Sequence, residues 1–264
     1  MLKTIRITTV QCNLVWEDKY ANLLALEALI APLQAQTDVI VLPEMFTTGF
    51  SMKPTQFAET MDGESVKWMR QQAQTLGVAL CGSLMIVENE KYYNRFIFIT
   101  SQGEIKTYDK RHLFSLANEH EHYTAGSARL LINYEGWKIC PMVCYDIRFP
   151  VWSRNTDHYD ILLYVANFPE RRIHAWNSLL VARAIENQCY VVGVNRVGLD
   201  GNEIYHSGET AVIDYEGQIR YKMAHETAVE THRLEYEKLK EYRQKLNFLN
   251  DKDDFMLKYE KKYM

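Results

Sequence analysis

The run DVIVLPE, residues 38–44, is apolar at nearly every position before it ends on a glutamate. A strand of that kind is buried on both faces, so it belongs to a sheet covered by further layers rather than to one open to water. VALCGSLMI, residues 78–86, repeats the pattern. Helix-period segments stand between such runs. TIRITTVQC reads as a first strand, followed by an amphipathic helix over about 18–35 with Leu23, Leu24, Leu26 and Ile30 at helical spacing. ESVKWMRQQAQTLG predicts a second helix that closes on Gly77 as its C-terminal cap. YYNRFIFITSQGEIKTYDK reads as a hairpin turning at Ser101 to Gly103. Strands around Trp137 to Val143 and Tyr159 to Ala166, a helix from about His174 to Asn187, the strand CYVVGVNRV and a hairpin-rich end complete the pattern.

This alternation predicts an α/β fold. No linker or low-complexity tract interrupts it, so residues 1–264 are expected to form a single domain. FITSQGEIKTYDK and AVIDYEGQIRYKM share an apolar strand, a turn ending in Gly and the spacing x-Ile-x-x-Tyr. Two such halves would give two sheets packed face to face with helices outside, a four-layer α-β-β-α sandwich; two common hairpins could also share the pattern by coincidence.

The formal net charge of −4 offers no electrostatic footprint for nucleic acid or an anionic membrane. The expected partner is a small molecule or another copy of the chain. MLKTIRITTVQCN contains no long apolar run, so neither a signal peptide nor a membrane span is expected, and the reading is cytoplasmic. Five cysteines, an odd number, argue against a disulfide framework. Cys140 and Cys144, four apart on an extended segment, would hold their Cα atoms about 13 Å apart, beyond the roughly 7 Å that a disulfide spans.

Three residues end or follow strands where packing does not require them: Glu44 after VLP, Lys110 after YD and Cys144 after CPMV. Groups at strand ends converge on one crevice in α/β folds. A cysteine nucleophile attacks as thiolate and needs a proton acceptor and a nearby cation, roles open to Glu44 and Lys110. Taken singly, each has a bland alternative: a buried small hydrophobe for the cysteine, solvated charges for the other two.

LPEMF, YDKRHLF and CYDIRFP, in that order, resemble the Glu, Lys and Cys motifs of the nitrilase, or carbon-nitrogen hydrolase, superfamily. LPEMFTTGF, ANFPERR, ARAIENQCYVVGVNRVG and GETAVIDYEGQI look most like its ω-amidase branch, which hydrolyses the terminal amide of α-keto acid amides such as 2-oxoglutaramate. The resemblance implies the four-layer sandwich, paired into dimers. It also implies Glu44 as general base, Cys144 as nucleophile, and Lys110 with the Tyr145 backbone N–H as oxyanion stabilisers. A second, supporting glutamate is expected in EHEHYTAG, at Glu119 by its distance to Gly126, with Glu121 as the alternative. Phe46, Phe168 and Arg172 are the expected substrate contacts, with Arg171 next to test. No metal or organic cofactor is needed for this chemistry.

Other readings stay in view. His112, Glu119, His120, Glu121 and His122 gather potential metal ligands, with His-x-His on a strand presenting both rings to one face. HExxH is absent. A non-catalytic scaffold would be expected to have lost one of Glu44, Lys110 and Cys144. Pro141 predicts a bulge or an unpaired edge before Cys144, and Arg148 is expected to pair with an acid such as Asp146. The tail LNFLNDKDDFMLKYEKKYM ends in a lysine-rich stretch suited to solvent or to gripping a partner.

Overall fold

A computed structural model describes residues 3–257. The first half of the chain runs β1 (Thr4–Gln11), α1 (Lys19–Ile30), β2 (Val39–Val41), a short α2 (Pro54–Phe57), α3 (Glu64–Leu76), β3 (Ala79–Glu88), β4 (Lys91–Ile99), β5 (Ile105–Asp109) and a helical turn α4 (Glu119–His122). The second runs β6 (Ile132–Tyr134), β7 (Trp137–Val143), α5 (Pro150–Ser153), β8 (Ile161–Ala166), α6 (Ile173–Asn187), β9 (Tyr190–Asn195), β10 (Val197–Leu199), β11 (Tyr205–Ile213), β12 (Ile219–Ala224), β13 (Ala228–Glu235) and α7 (Tyr236–Lys245).

Two sheets result. One has the order β13-β1-β2-β3-β4-β5 and the other β10-β11-β9-β8-β7-β6, with β12 paired to β11. In each, three parallel strands are followed by an antiparallel hairpin: β1-β2-β3 with β4 and β5, and β7-β8-β9 with β11 and β12. The two hairpins are those whose sequences echo one another.

Alternation along β2 explains why its run is apolar throughout. Val39 and Val41 face the second sheet, in a cluster with Cys81, Phe96, Ile139 and Val143, while Ile40 and Leu42 face Leu26, Val66, Met69 and Ala73 of α1 and α3. Each such side chain contributes on the order of 1.5–3 kcal/mol when fully buried. On the far side, Trp176, Leu180 and Ala184 of α6 cover the second sheet. A Cβ at Gly193 of β9 would lie 2.8 Å from Leu180 and Trp176, so the close approach of helix to sheet requires a residue without one. Helices thus sandwich two facing sheets, the four-layer α-β-β-α arrangement.

Local chemistry sets the ends of these elements. Asp18 caps α1 by accepting from the Ala21 N–H at 3.0 Å, and Gly77 closes α3 at φ +70°. The helix expected over 18–35 stops at Ile30 and tightens into a 3-10 turn over Ala31–Leu33, because Pro32 supplies no N–H to continue the ladder. Pro141 pairs with Leu163 of β8 and lies past Ile139, the last β7 residue paired to β6, so no strand needs its missing N–H on that side. No helix among the described residues is long and apolar enough to cross a membrane. The lysine-rich end from residue 258 lies outside the described residues.

Candidate active site

The C-terminal ends of β2, β7 and β8 meet the end of β5 at one crevice. Glu44 follows β2, Lys110 follows β5 and Cys144 follows β7. Glu44 and Glu119 are 0% exposed and Lys110 1%, so their charges have to be compensated internally. The Lys110 Nζ donates to Glu44 Oε1 at 3.0 Å and to Glu119 Oε1 and Oε2 at 3.0 and 2.9 Å. Asn94 of β4 bridges the two acids, its Nδ2 lying 2.7 Å from Glu44 Oε1 and 3.4 Å from Glu119 Oε1. The second Glu44 oxygen accepts from the Asn167 N–H at 2.8 Å, and the Asn167 side chain donates to the Glu44 carbonyl at 2.6 Å. Glu119 Oε2 also accepts from the Phe114 N–H at 2.5 Å.

Burial works against the Lys110 charge, but Glu119, Glu44 and Cys144 outweigh it and hold the ammonium protonated. Burial pushes the Glu119 carboxyl upward, with Lys110 opposing and Glu44 adding to the rise. The Cys144 thiol is pushed well above the ordinary range, first by burial and then by Glu44, against the pull of Lys110 and the Asn167 N–H. A resting thiolate would add negative charge beside Glu44 and Glu119 in a buried site. The thiol therefore holds its proton at neutral pH.

Cys144 sits at φ +43°, a left-handed conformation that strains a residue with a Cβ. It opens a 3-10 turn over Cys144–Arg148, so the Tyr145 N–H lies in the first turn, where amides have no intrahelical acceptor. The strain is held from several sides. Asp146, fully buried, accepts from the Val143 N–H at 3.0 Å, the Tyr108 hydroxyl at 2.7 Å and the His112 N–H at 3.0 Å, and its Oδ1 lies 2.8 Å from His112 Nδ1. His112 stacks on Phe149 at 3.6 Å. Arg183 of α6 donates to the Ile147 carbonyl at 2.6 Å. Asp146 thus fastens the cysteine turn to the segment that carries Lys110.

A cleft of about 510 Å³ opens onto Cys144, within the usual size of a small-molecule site. Tyr145, Phe168 and three arginines, Arg148, Arg171 and Arg172, line part of it. No carboxylate lies within salt-bridge distance of these arginines among the described residues. Arg172 rests over the Phe114 ring at 4.9 Å. Burial lowers its pKa, and Arg171 adds like-charge repulsion.

Several expectations change. Phe46 does not line the cleft: it is 0% exposed, in the core under α3, 6.1 Å from Trp68. Two residues past Glu44, it would share that residue's face on a strand, but the chain turns here with Met45 at φ +43°, and Phe46 is carried into the core instead. Arg148 does not pair with Asp146, whose oxygens are taken by Tyr108, His112 and Val143; it lies 5.7 Å over Phe168. EHEH is a helical turn rather than a strand, which turns His120 and His122 about 200° apart. Glu121 is exposed while Glu119 faces Lys110, and His112 is engaged by Asp146. Among the described residues no group of three or more His, Cys, Asp or Glu is arranged to hold a metal ion. Asn94, Asn167, Tyr108 and Asp146 had no assigned site role in the sequence.

Two facing sheets flanked by helices, with a strand-end Cys, Lys and paired carboxylates at one crevice, give an α-β-β-α protein with a candidate hydrolase site. Residues 6–244 match the carbon-nitrogen hydrolase family, to which the chain belongs; it is an amide-hydrolysing enzyme. It is 44% identical over 254 residues to Omega-amidase YafV of Escherichia coli (strain K12), covering 96% of this chain and 98% of that one. It is 32% identical to the 2-oxoglutaramate amidase of Bacillus subtilis (strain 168), covering 93% and 96%. The crystal structure of XC1258 from Xanthomonas campestris, a CN-hydrolase superfamily protein with an arsenic adduct in the active site, superposes with a TM-score of 0.95 at 42% identity, covering 97% and 100%.

Proposed function

We propose that this enzyme is an ω-amidase, cleaving the terminal amide of short 2-oxo dicarboxylate monoamides such as 2-oxoglutaramate and 2-oxosuccinamate through a cysteinyl thioester. The observation that carries the reading is a cleft with a strained thiol backed by a buried Glu-Lys-Glu cluster and three arginines that have no carboxylate partner among the described residues. The names of the Escherichia coli and Bacillus subtilis relatives support the substrate class.

In this mechanism Glu44 takes the thiol proton as Cys144 Sγ attacks the amide carbon. Proton transfer from Cys144 to Glu44 moves one negative charge without adding any, so the net charge around Lys110 does not change. The oxyanion that forms on the carbonyl meets the Lys110 ammonium and the Tyr145 N–H. Protonated Glu44 returns its proton to the departing ammonia, leaving a thioester. Glu44 then deprotonates a water that attacks the thioester and releases the carboxylic acid. Glu119 holds Lys110 in place throughout. The reading extends to a single catalytic domain, supported by the family match over residues 6–244. It also extends to a cytoplasmic homodimer, for which exposed Val151 and Ile185 offer apolar surface.

Glu44→Gln keeps the shape of the site but cannot accept the proton, so acylation and thioester hydrolysis both slow. Turnover is expected to fall by about 10²-fold or more; an unchanged kcat would assign the base to another residue.

Arg172 is the proposed receptor for the distal carboxylate, through two parallel N–H bonds. An anionic substrate relieves both its desolvation and its repulsion from Arg171. Arg172→Met is expected to raise KM for 2-oxoglutaramate about 10-fold or more, the loss of a charge-assisted bond, and to leave an uncharged amide of similar length nearly unaffected. Equal losses on both substrates would move the carboxylate site to Arg171. Ammonia release across 2-oxoglutaramate, 2-oxosuccinamate, glutamine, β-ureidopropionate and a simple nitrile tests the substrate class; activity confined to the last two would overturn it.

A further inference from the structure

The cleft has a second wall, built from the loop after β1 and the β10–β11 hairpin, that the chemistry above does not use. Trp16, Glu17, Asp200, Gly201 and His206 contribute to it. Sheet order fixes where this wall stands. Cys144 follows β7 and Arg172 lies beyond β8, while the β10–β11 hairpin is reached only by continuing past β9. Three strand spacings, roughly 14 Å, separate β7 from β11.

Trp16 is held there by an unusual number of constraints. A Cβ at Gly201 would lie 2.2 Å from the indole Cδ1, and one at Gly49 would lie 3.1 Å from Cε3. The indole is therefore packed directly against the backbone at two glycines. Its chain neighbours are pinned as well. Asn22 accepts from the Val15 N–H at 2.8 Å and donates to the Val15 carbonyl at 2.7 Å, and the Glu17 N–H donates to the Thr48 carbonyl at 2.9 Å. Arg196, fully buried, ties the two loops together: its Nη2 donates to Asn13 Oδ1 at 2.8 Å and to the Leu14 and Leu199 carbonyls at 3.1 and 2.9 Å. A large half-buried side chain fixed this firmly cannot swing aside for a ligand.

We infer that Trp16 is the residue that sets the longest substrate the cleft accepts. This rests on the ω-amidase reading. A substrate has its amide at Cys144 and its carboxylate at Arg172. A longer chain can keep both ends in place only by bowing, or by carrying its carboxylate past Arg172, and both take it along the strand ends toward the wall to which the indole contributes. A rigid apolar wall discriminates by about 10-fold or more for each methylene that does not fit.

The test is kcat/KM across 2-oxo dicarboxylate monoamides of four to seven carbons, for the unmodified protein, Trp16→Phe and Trp16→Ala. The ratio of the six-carbon to the five-carbon substrate is expected to rise about 10-fold or more in Trp16→Ala and by less in Trp16→Phe. A ratio that stays put in the variants that fold, whether or not overall activity drops, overturns the inference, because a merely structural tryptophan would lower all substrates together. Trp16→Phe keeps an aromatic ring between the glycines and decides the question if Trp16→Ala does not fold. Should the unmodified protein hydrolyse no member of the series, the ω-amidase reading falls and this inference with it; activity with an unmoved ratio removes this inference alone.

Discussion

Cys144→Ala is expected to abolish amide turnover while the protein stays folded. The substitution removes a single sulfur at a part-exposed strand end and leaves the backbone contacts of the turn, including the Val143 N–H to Asp146 and Arg183 to the Ile147 carbonyl, untouched. Alanine faces the same left-handed strain as cysteine at φ +43°, so stability should shift little. Chemistry by the proposed thioester route, in contrast, would lose its nucleophile and the acyl carrier of both half-reactions. Alkylation gives a second measure. Cys12, Cys81, Cys140 and Cys189 are buried, and burial pushes each of their thiols upward. Iodoacetamide should therefore label Cys144, the one cysteine on the cleft, ahead of the others, and labelling should track loss of activity. Because the Cys144 thiol is also raised, its labelling rate should still be climbing at pH 9. Turnover by Cys144→Ala would refute the thioester route.

What the sequence displays and what it hides follow from contact range. β2 is legible because both faces of a central strand need apolar partners, which leaves VIVLP without a polar side chain until the crevice at Glu44. Cys144 is legible because an apolar run stops at it and a polar turn follows. The partners that hold these groups are not legible in the same way. Asn94 sits in KYYNRFIFI, which reads as an ordinary hairpin strand; that its amide reaches Glu44, 50 residues earlier, depends on β2 and β4 flanking β3 in one sheet. Asp146 was read against its sequence neighbour Arg148, yet a 3-10 turn sends the two in different directions and gives Asp146 partners from 34 and 38 residues away. Phe46, expected at the substrate, lies two residues past Glu44 and beyond a left-handed turn at Met45 that carries it into the core. Adjacency in sequence misleads at a strand end, where one residue faces the crevice and another the core.

Lys110→Met should damage both rate and stability, and in a way that depends on pH. On the proposed route its ammonium meets the developing oxyanion, and losing one such donor costs about 10²–10³ in kcat. It is also the counter-ion between Glu44 and Glu119, both 0% exposed. Removing one partner of a buried ionic cluster destabilises by about 3–5 kcal/mol when the remaining charges stay ionised. They need not stay so. Glu119 is already raised by burial and by Glu44, with Lys110 opposing, and without Lys110 its carboxyl rises further. A carboxyl whose folded pKa lies above its unfolded value binds its proton more tightly when folded. Its stabilising contribution is full below the unfolded value and is lost as pH climbs through the folded one. The deficit of Lys110→Met relative to the unmodified protein should accordingly be small near pH 4 to 5 and widen toward pH 8. Thermal unfolding of both proteins across that range reads the difference. A deficit that is the same at every pH would mean that the two glutamates do not face Lys110 as ionised groups.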